Sequence, residues 1–359
     1  MDEAPVGLVA DARAPAAVLS CEDRGTAADR EGASFMLVIE AGAFGGPEVL
    51  APREAPDPVA GPGQVVVRAI AADVLFLDAT IRSGRAAGFF PIRPPYVPGN
   101  GVAGQVIATG DGVDASWVGR TVAAHTGKAG GSGGYAEQAL VAAADLIPVP
   151  DGLDPLEAAA LLHDGATAID RTERAAVGPA DWVLITAAAG GMGVLLVQLA
   201  RAAGARVIGA ARGPRKLEAV REAGAEVVLD YSEPGWAKRA HEATGGHGAD
   251  VVFDGAGGQL GRAAFEVTAT GGRFSAHGMS DGGFARFRAD EAEQRRITVY
   301  GLEPQAPADF RRRAAQALDA AVAGRIRPVV GQTFPLRQAA DAHAALEARA
   351  TVAKTLLLT

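Results

Sequence analysis

Between Trp182 and Gly257 the chain alternates short apolar runs with segments of helical period: WVLITAA, GMGVLLVQLARAAG, ARVIGAA, RKLEAVREAG, EVVLDY, GWAKRAHEATGG and ADVVFDGAG. A strand–helix–strand rhythm of this kind predicts a parallel sheet with helices on both faces, because a parallel neighbour is reached only through a crossover. The cores of these strand runs are fully apolar rather than alternating, as strands buried on both faces are. This stretch therefore constrains the fold class to α/β, with a doubly wound sheet at its centre.

The first crossover carries the sharpest local signal. Ala188-Ala189-Gly190-Gly191-Met192-Gly193 follows the strand WVLIT directly and opens an apolar helix. The dinucleotide fingerprint is G-x-G-x-x-G, and here its first glycine is alanine. The later positions keep their physical use: Gly190 lets backbone approach a pyrophosphate, and Gly193 lets the helix pack close to the strand. Amide N–H groups at the helix start then face the anion. The turn, Ala189 to Gly193, predicts nucleotide binding.

Which nucleotide is read at the end of the next strand. An NAD site places a carboxylate there for the ribose 2′-hydroxyl. This chain reads Gly209-Ala210-Ala211-Arg212-Gly213-Pro214-Arg215-Lys216, with no carboxylate before Glu218. Cations at that corner suit a 2′-phosphate, and arginine matches its planar oxygens best. A merely solvated basic helix start would oppose the helix dipole. NADPH is the expected cofactor.

The flanking sequence is organised differently. Residues 35–162 read as a β unit of short strands with Gly/Pro turns, among them FMLVIEA, QVVVRAIAA, GVAGQVIATG and RTVAAHT. Residues 163–302 form the nucleotide-binding domain, and 303–359 add helices and a closing strand, TLLLT. Residues 1–34 have no apolar h-region after Met1-Asp2-Glu3 and read as a disordered tail, or as an over-extended start with the natural one at Met36. A net charge of −8 argues against a nucleic-acid partner. No apolar run is long enough to predict a membrane span. One cysteine, Cys21, excludes cysteine-based zinc sites. The six histidines, at 125, 163, 241, 247, 277 and 343, show no ligand spacing and read as surface or packed residues.

Several motifs together resemble the medium-chain dehydrogenases/reductases, in the zinc-independent quinone oxidoreductase branch that includes the zeta-crystallins. They are FGGPEVL, Leu77-Asp78-Ala79-Thr80-Ile81-Arg82-Ser83-Gly84, Pro98-Gly99-Asn100-Gly101-Val102-Ala103-Gly104, Gly133-Gly134-Tyr135-Ala136-Glu137, AAAGGMG and HAALEARATVAKTLLLT. The resemblance runs from about Met36 to Thr359. It implies a GroES-like β domain split around a Rossmann domain, with the last segment returning to the first domain. It also implies a cytoplasmic homodimer acting on a small-molecule quinone or enone, without metal, by hydride transfer from NADPH.

By the same resemblance Lys216 and Tyr231 sit near the 2′-phosphate, with Arg349 near the C-terminus as a further cofactor contact. Thr167 falls on the nicotinamide side, and Gly255 and Gly278 fall in loops at strand ends lining the cofactor. Asp78 and Tyr96 are the candidate proton donors, beside Tyr135, which more often supports the floor of such a site. Two rivals stand next to quinone or enone reduction: an enoyl reductase of a polyketide-like pathway, and a non-catalytic NADPH-binding sensor or structural protein. A zinc alcohol dehydrogenase is disfavoured by the missing ligands. Two departures from the family pattern, Leu75 for asparagine and Asn100-Gly101 for Thr-Glu or His-Glu, predict an apolar substrate pocket.

Overall fold

The computed structural model describes residues 34–126, 133–303 and 305–359. The expectations for residues 1–33, Cys21 among them, lie outside the described residues. The chain divides into two compact units. One comprises 34–163, Ala314–Val322 and Val330–Thr359; the other comprises Asp164–Arg313 and Ala323–Val329.

The first unit opens with an antiparallel pair, β1 (Phe35–Ala41) and β2 (Leu50–Pro56). Strand β3 (Gln64–Val74) organises the rest: its valines and alanines are almost all buried. A seven-residue helix, α1 (Phe76–Arg82), follows, and then β4 (Gly101–Thr109), β5 (Thr121–His125), β6 (Gln138–Ala142) and β7 (Leu146–Pro148). The β3–β4 pairing is antiparallel and shifts register at Val66/Val67 and at Ala69/Ala71. Such bulges add twist and curvature, which lets one long strand serve different partners along its length. Its first half pairs with β6. Helix α2 (Pro155–Ala175) then leads into the second unit.

There the predicted alternation is present strand for strand: β8 (Trp182–Thr186), α3 (Gly191–Ala202), β9 (Arg206–Ala211), α4 (Pro214–Glu222), β10 (Val227–Asp230), α5 (Trp236–Ala243), β11 (Ala249–Asp254) and α6 (Gly258–Val267). Strand β12 (Thr268–Ala276), helix α7 (Ala289–Gln294) and strand β13 (Thr298–Tyr300) complete it. All pairs are parallel, in the order β10-β9-β8-β11-β12-β13. This is the Rossmann order, and its direction reverses between β8 and β11, where such sheets take ligands at the carboxyl ends of their strands. Leu184, Ile208, Val252, Phe265 and Phe274 are buried in its core.

After α8 (Pro307–Val322) come β14 (Val330–Pro335), α9 (Ala339–Glu347) and β15 (Lys354–Leu358). Strand β15 lies parallel to β14 and antiparallel to the second half of β3, with Thr355 opposite Val74 and Leu358 opposite Ala71. The C-terminal strand thus completes the GroES-like β unit, whose core holds Val65, Val67, Val102, Tyr135 and Leu357.

Candidate functional site

The glycine turn joins β8 to α3 at the reversal point of the Rossmann sheet. Gly190 is the N-cap of α3, and no side chain caps the helix. Its first amides and the positive end of its dipole are therefore left to a ligand or solvent. A Cβ at Gly193 would lie 2.5 Å from the Ala187 carbonyl oxygen and 2.7 Å from the Ala188 carbonyl carbon. Only glycine lets the helix start that close to the strand. Ala189 is buried beneath the turn, while Gly191 and Met192 are half-buried in the first turn of α3. The adjacent strand ends close the arrangement. A Cβ at Gly255 would meet the Thr186 carbonyl oxygen at 3.0 Å, and one at Gly278 would meet the Gly255 oxygen at 1.9 Å. The loops after β8, β11 and β12 are thus brought together, with Gly255 and Gly278 back to back.

Arg212 and Gly213 lie one strand over, at the end of β9, and Lys216 is in the first turn of α4. Tyr231 follows β10, its amide donating to the Ala211 carbonyl at 3.1 Å. Arg212, Lys216 and Tyr231 therefore share one corner. A carboxylate is present there that the local sequence gave no reason to place: Asp230 accepts from the Gly213 amide at 2.8 Å, across 17 residues. Burial works to raise its pKa, but hydrogen bonds from Ser232 and Gly213 and the charge of Arg212 outweigh it, holding the carboxyl below its usual range. Asp230 is engaged with the backbone of the turn, and fixes the loop that carries Arg212.

The remaining cofactor candidates come from other parts of the chain. Thr167 is half-buried in α2, and Arg349 belongs to the other unit, where it follows α9 with a left-handed φ of 57°. These residues fit a dinucleotide phosphate: an uncapped helix start, a turn that only glycine permits, and a basic corner one strand away.

In the β unit, Asp78 and Tyr96 line a narrow recess with Ile81, Pro98 and Gly99. Asp78 is 3% exposed. Its Oδ2 accepts from the Leu75 amide at 2.8 Å and from the Tyr135 hydroxyl at 3.2 Å, and its Oδ1 accepts from the Asn100 side-chain amide at 2.8 Å. The Tyr96 hydroxyl is buried without a hydrogen-bond partner among the described residues, and burial together with Asp78 pushes its pKa up.

Behind Asp78 runs a chain whose hydrogen positions follow from its ends. Arg82 can only donate, so its Nε–H makes His343 Nδ1 an acceptor at 3.2 Å; His343 Nε2–H then donates to the Tyr135 oxygen at 2.9 Å. Burial and Arg82 press His343 down to about 3, which keeps it neutral. Arg82 also donates to the Gly45 carbonyl and pairs with Glu347.

Burial and the nearby Asp73 carboxylate drive Asp78 up to about 7 despite its three donors. An acid whose folded pKa exceeds its unfolded value contributes stability below the unfolded value, 3.8, and loses that contribution as pH rises through about 7. Because the buried neutral His343 contributes stability in the opposite sense, the Asp78 share is read by difference: in urea titrations Asp78→Asn should gain stability relative to the wild type as pH rises from about 4 to about 7, and a difference that stays constant with pH would contradict this assignment.

Beside this network, Lys354 and His163 both engage Asp73, and His163 contacts His125. No spacing in the sequence pairs those histidines, which meet in the fold from β5 and α2. Asn100 and Gly101 also correct the expectation of an apolar pocket. Asn100 is a buried donor to Asp78, and bare Gly101 leaves room for His163, whose Cε1 a Cβ there would meet at 2.7 Å. Among the described residues no group of three or more His, Cys, Asp and Glu side chains is arranged to hold a metal ion.

Two family models match, "Alcohol dehydrogenase GroES-like domain" over residues 61–151 and "Zinc-binding dehydrogenase" over 191–320. A 2-haloacrylate reductase of a Burkholderia species is 34% identical over 325 residues, covering 88% of this chain and 96% of that protein. A quinone oxidoreductase of Pseudomonas aeruginosa is 32% identical, covering 89% and 98%. The chain belongs to the quinone oxidoreductase branch of the medium-chain dehydrogenases/reductases. Among solved structures of this family, a mycobacterial protein in complex with NADPH is 35% identical with a TM-score of 0.81, covering 90% of this chain and all of that one. No helix among the described residues of this family member is long and apolar enough to cross a membrane.

Proposed function

We propose that this protein is an NADPH-dependent reductase that delivers hydride to an electrophile already polarised by conjugation, a quinone or an α,β-unsaturated carbonyl compound. The observation that carries the reading is the basic corner of Arg212 and Lys216, one strand from an uncapped α3 start that only glycine can shape. Bound NADPH supplies the hydride. The protein holds the diphosphate at the α3 amides, Ala189 to Gly193, and the 2′-phosphate at Arg212, Lys216 and Tyr231. Gly255 and Gly278 keep the strand ends open, with Thr167 and Arg349 as further cofactor contacts. Conjugated acids stand beside quinones as acceptors because one relative is named for 2-haloacrylate and another for quinone.

The acceptor panel is 1,4-benzoquinone, 9,10-phenanthrenequinone, 2-chloroacrylate and a simple enone, each followed by NADPH absorbance at 340 nm. Turnover of at least one is the expected outcome. Tight NADPH binding with no acceptor reduced would instead favour a sensor or structural protein.

A further inference from the structure

The sheet order divides the work of holding a dinucleotide among successive strand ends. Arg212 follows β9 and the glycine turn follows β8, while β11 and then β12 continue on the far side of β8. With the 2′-phosphate at β9 and the diphosphate at β8, the strand ends left for the nicotinamide are those of β11 and β12.

One polar side chain stands there that the reading above does not use. His277 follows β12 directly. Its amide and that of Gly278 both donate to the Asp254 carbonyl, at 3.1 Å and 2.9 Å, which ties the backbone after β12 to the end of β11. Asp254 is fixed in turn through its side chain: Oδ1 accepts from the Thr186 hydroxyl at 2.7 Å and from the amides of Ala256 and Gly257 at 3.1 Å and 3.0 Å. The ends of β8, β11 and β12 are thus held as one piece, and it carries His277.

The imidazole reaches back across β11. A Cβ at Gly255 would meet the Thr186 carbonyl oxygen at 3.0 Å, Ala187 Cβ at 3.3 Å and His277 Nε2 at 3.4 Å. A ring nitrogen from β12 and the last residue of β8 therefore border the same bare glycine, at the reversal point where a doubly wound sheet takes its ligand. Glycine at 255 keeps the space between them free of a side chain.

His277 is 9% exposed. Burial and the charge of Arg171 press its pKa down to about 3, which keeps the ring neutral. Ser275 lies on the Nδ1 side, with its hydroxyl oxygen at 3.4 Å, and the Ser275 carbonyl favours a proton on the ring. With hydrogen on Nδ1, Nε2 of the neutral ring is an acceptor. Among the described residues the ring hydrogen-bonds only through Nδ1. A neutral acceptor suits a cofactor that gains positive charge on giving up hydride, because an imidazolium there would repel it.

We propose that His277 is a cofactor-binding residue whose Nε2 accepts a hydrogen bond from the carboxamide amino group of the nicotinamide. The inference rests on the NADPH reading above and deepens it. Thr186, Asp254, Gly255 and His277 all belong to the Rossmann unit, so the contact needs nothing from the other unit.

The test compares NADPH with its reduced 3-acetylpyridine analogue, in which a methyl group replaces the carboxamide amino group. Calorimetric titration of the full-length protein should show NADPH binding about fivefold tighter, the usual share of one neutral hydrogen bond. His277→Phe keeps a flat ring without a nitrogen and should bind the two cofactors equally. Its affinity for 2′,5′-ADP, which lacks the nicotinamide half, should match that of the wild type. A second readout needs no variant: in nitrogen NMR of the wild-type imidazoles, the His277 Nε2 resonance should move further upfield with NADPH than with the analogue. Equal affinity of the wild type for both cofactors, a preference kept by His277→Phe, or equal nitrogen shifts with the two would overturn the assignment while leaving the NADPH reading standing. A wild-type protein that binds no NADPH would sink both.

Discussion

Asp170→Ala should destabilise the Rossmann unit by about 3–5 kcal/mol, the usual cost of removing one partner from a buried ion pair. Asp170 is fully buried in α2, and three arginines converge on it: Arg171 at 2.5 Å, Arg174 at 3.1 Å and Arg313 at 2.9 Å. Arg171 is itself only 1% exposed and also donates to the Gly301 carbonyl. Burial already works against its charge, lowering its pKa in spite of Asp170. Without the carboxylate that charge would stay buried and uncompensated. Arg221→Ala is the contrast, since Arg221 and Glu218 form an exposed pair three residues apart on α4. Pairs of that kind contribute about 0–1 kcal/mol. Urea unfolding of both variants measures the difference; equal losses would contradict the burial argument.

The second large effect concerns the cofactor. Replacing Arg212 and Lys216 together by alanine should weaken NADPH binding by about 3 kcal/mol or more, roughly 100-fold, since each charged hydrogen bond is worth about 1.5–3 kcal/mol. NADH affinity should change less than about threefold, because no charge at this corner meets an unphosphorylated ribose. Asp230→Ala tests the corner from the other side. Its carboxylate holds the Gly213 amide and not the cofactor, so its loss should loosen both nucleotides alike. Fluorescence titration with NADPH and NADH separates the two patterns. Parallel losses for both nucleotides in the Arg212/Lys216 variant would mean that these side chains shape the loop rather than bind the 2′-phosphate.

What the sequence reveals here follows from how local each signal is. The strands β8 to β11 and their crossovers are legible because burial on both faces writes a continuous apolar run, and helical period separates the runs. Gly193 is legible because the close approach it permits lies within six residues of Ala187. Asp230 is not, because the carboxylate at the basic corner arrives from the next strand and serves the Gly213 amide. The same holds for the Asp73–His163–His125 chain, whose members are 90 and 38 residues apart and meet only in the fold. Gly101 shows the ambiguity most clearly. In sequence, a glycine there reads as polar character removed; in the fold it is space filled by an imidazole.

The central claim is that the corner at Arg212 and Lys216 makes this family member a reductase that draws on NADPH. It is tested most directly by comparing kcat/KM for NADPH and NADH with one acceptor that the wild-type protein reduces, at one pH and ionic strength. The structure predicts a preference for NADPH of about 100-fold or more, from the same two charged contacts. Equal values, or a preference for NADH, would contradict it.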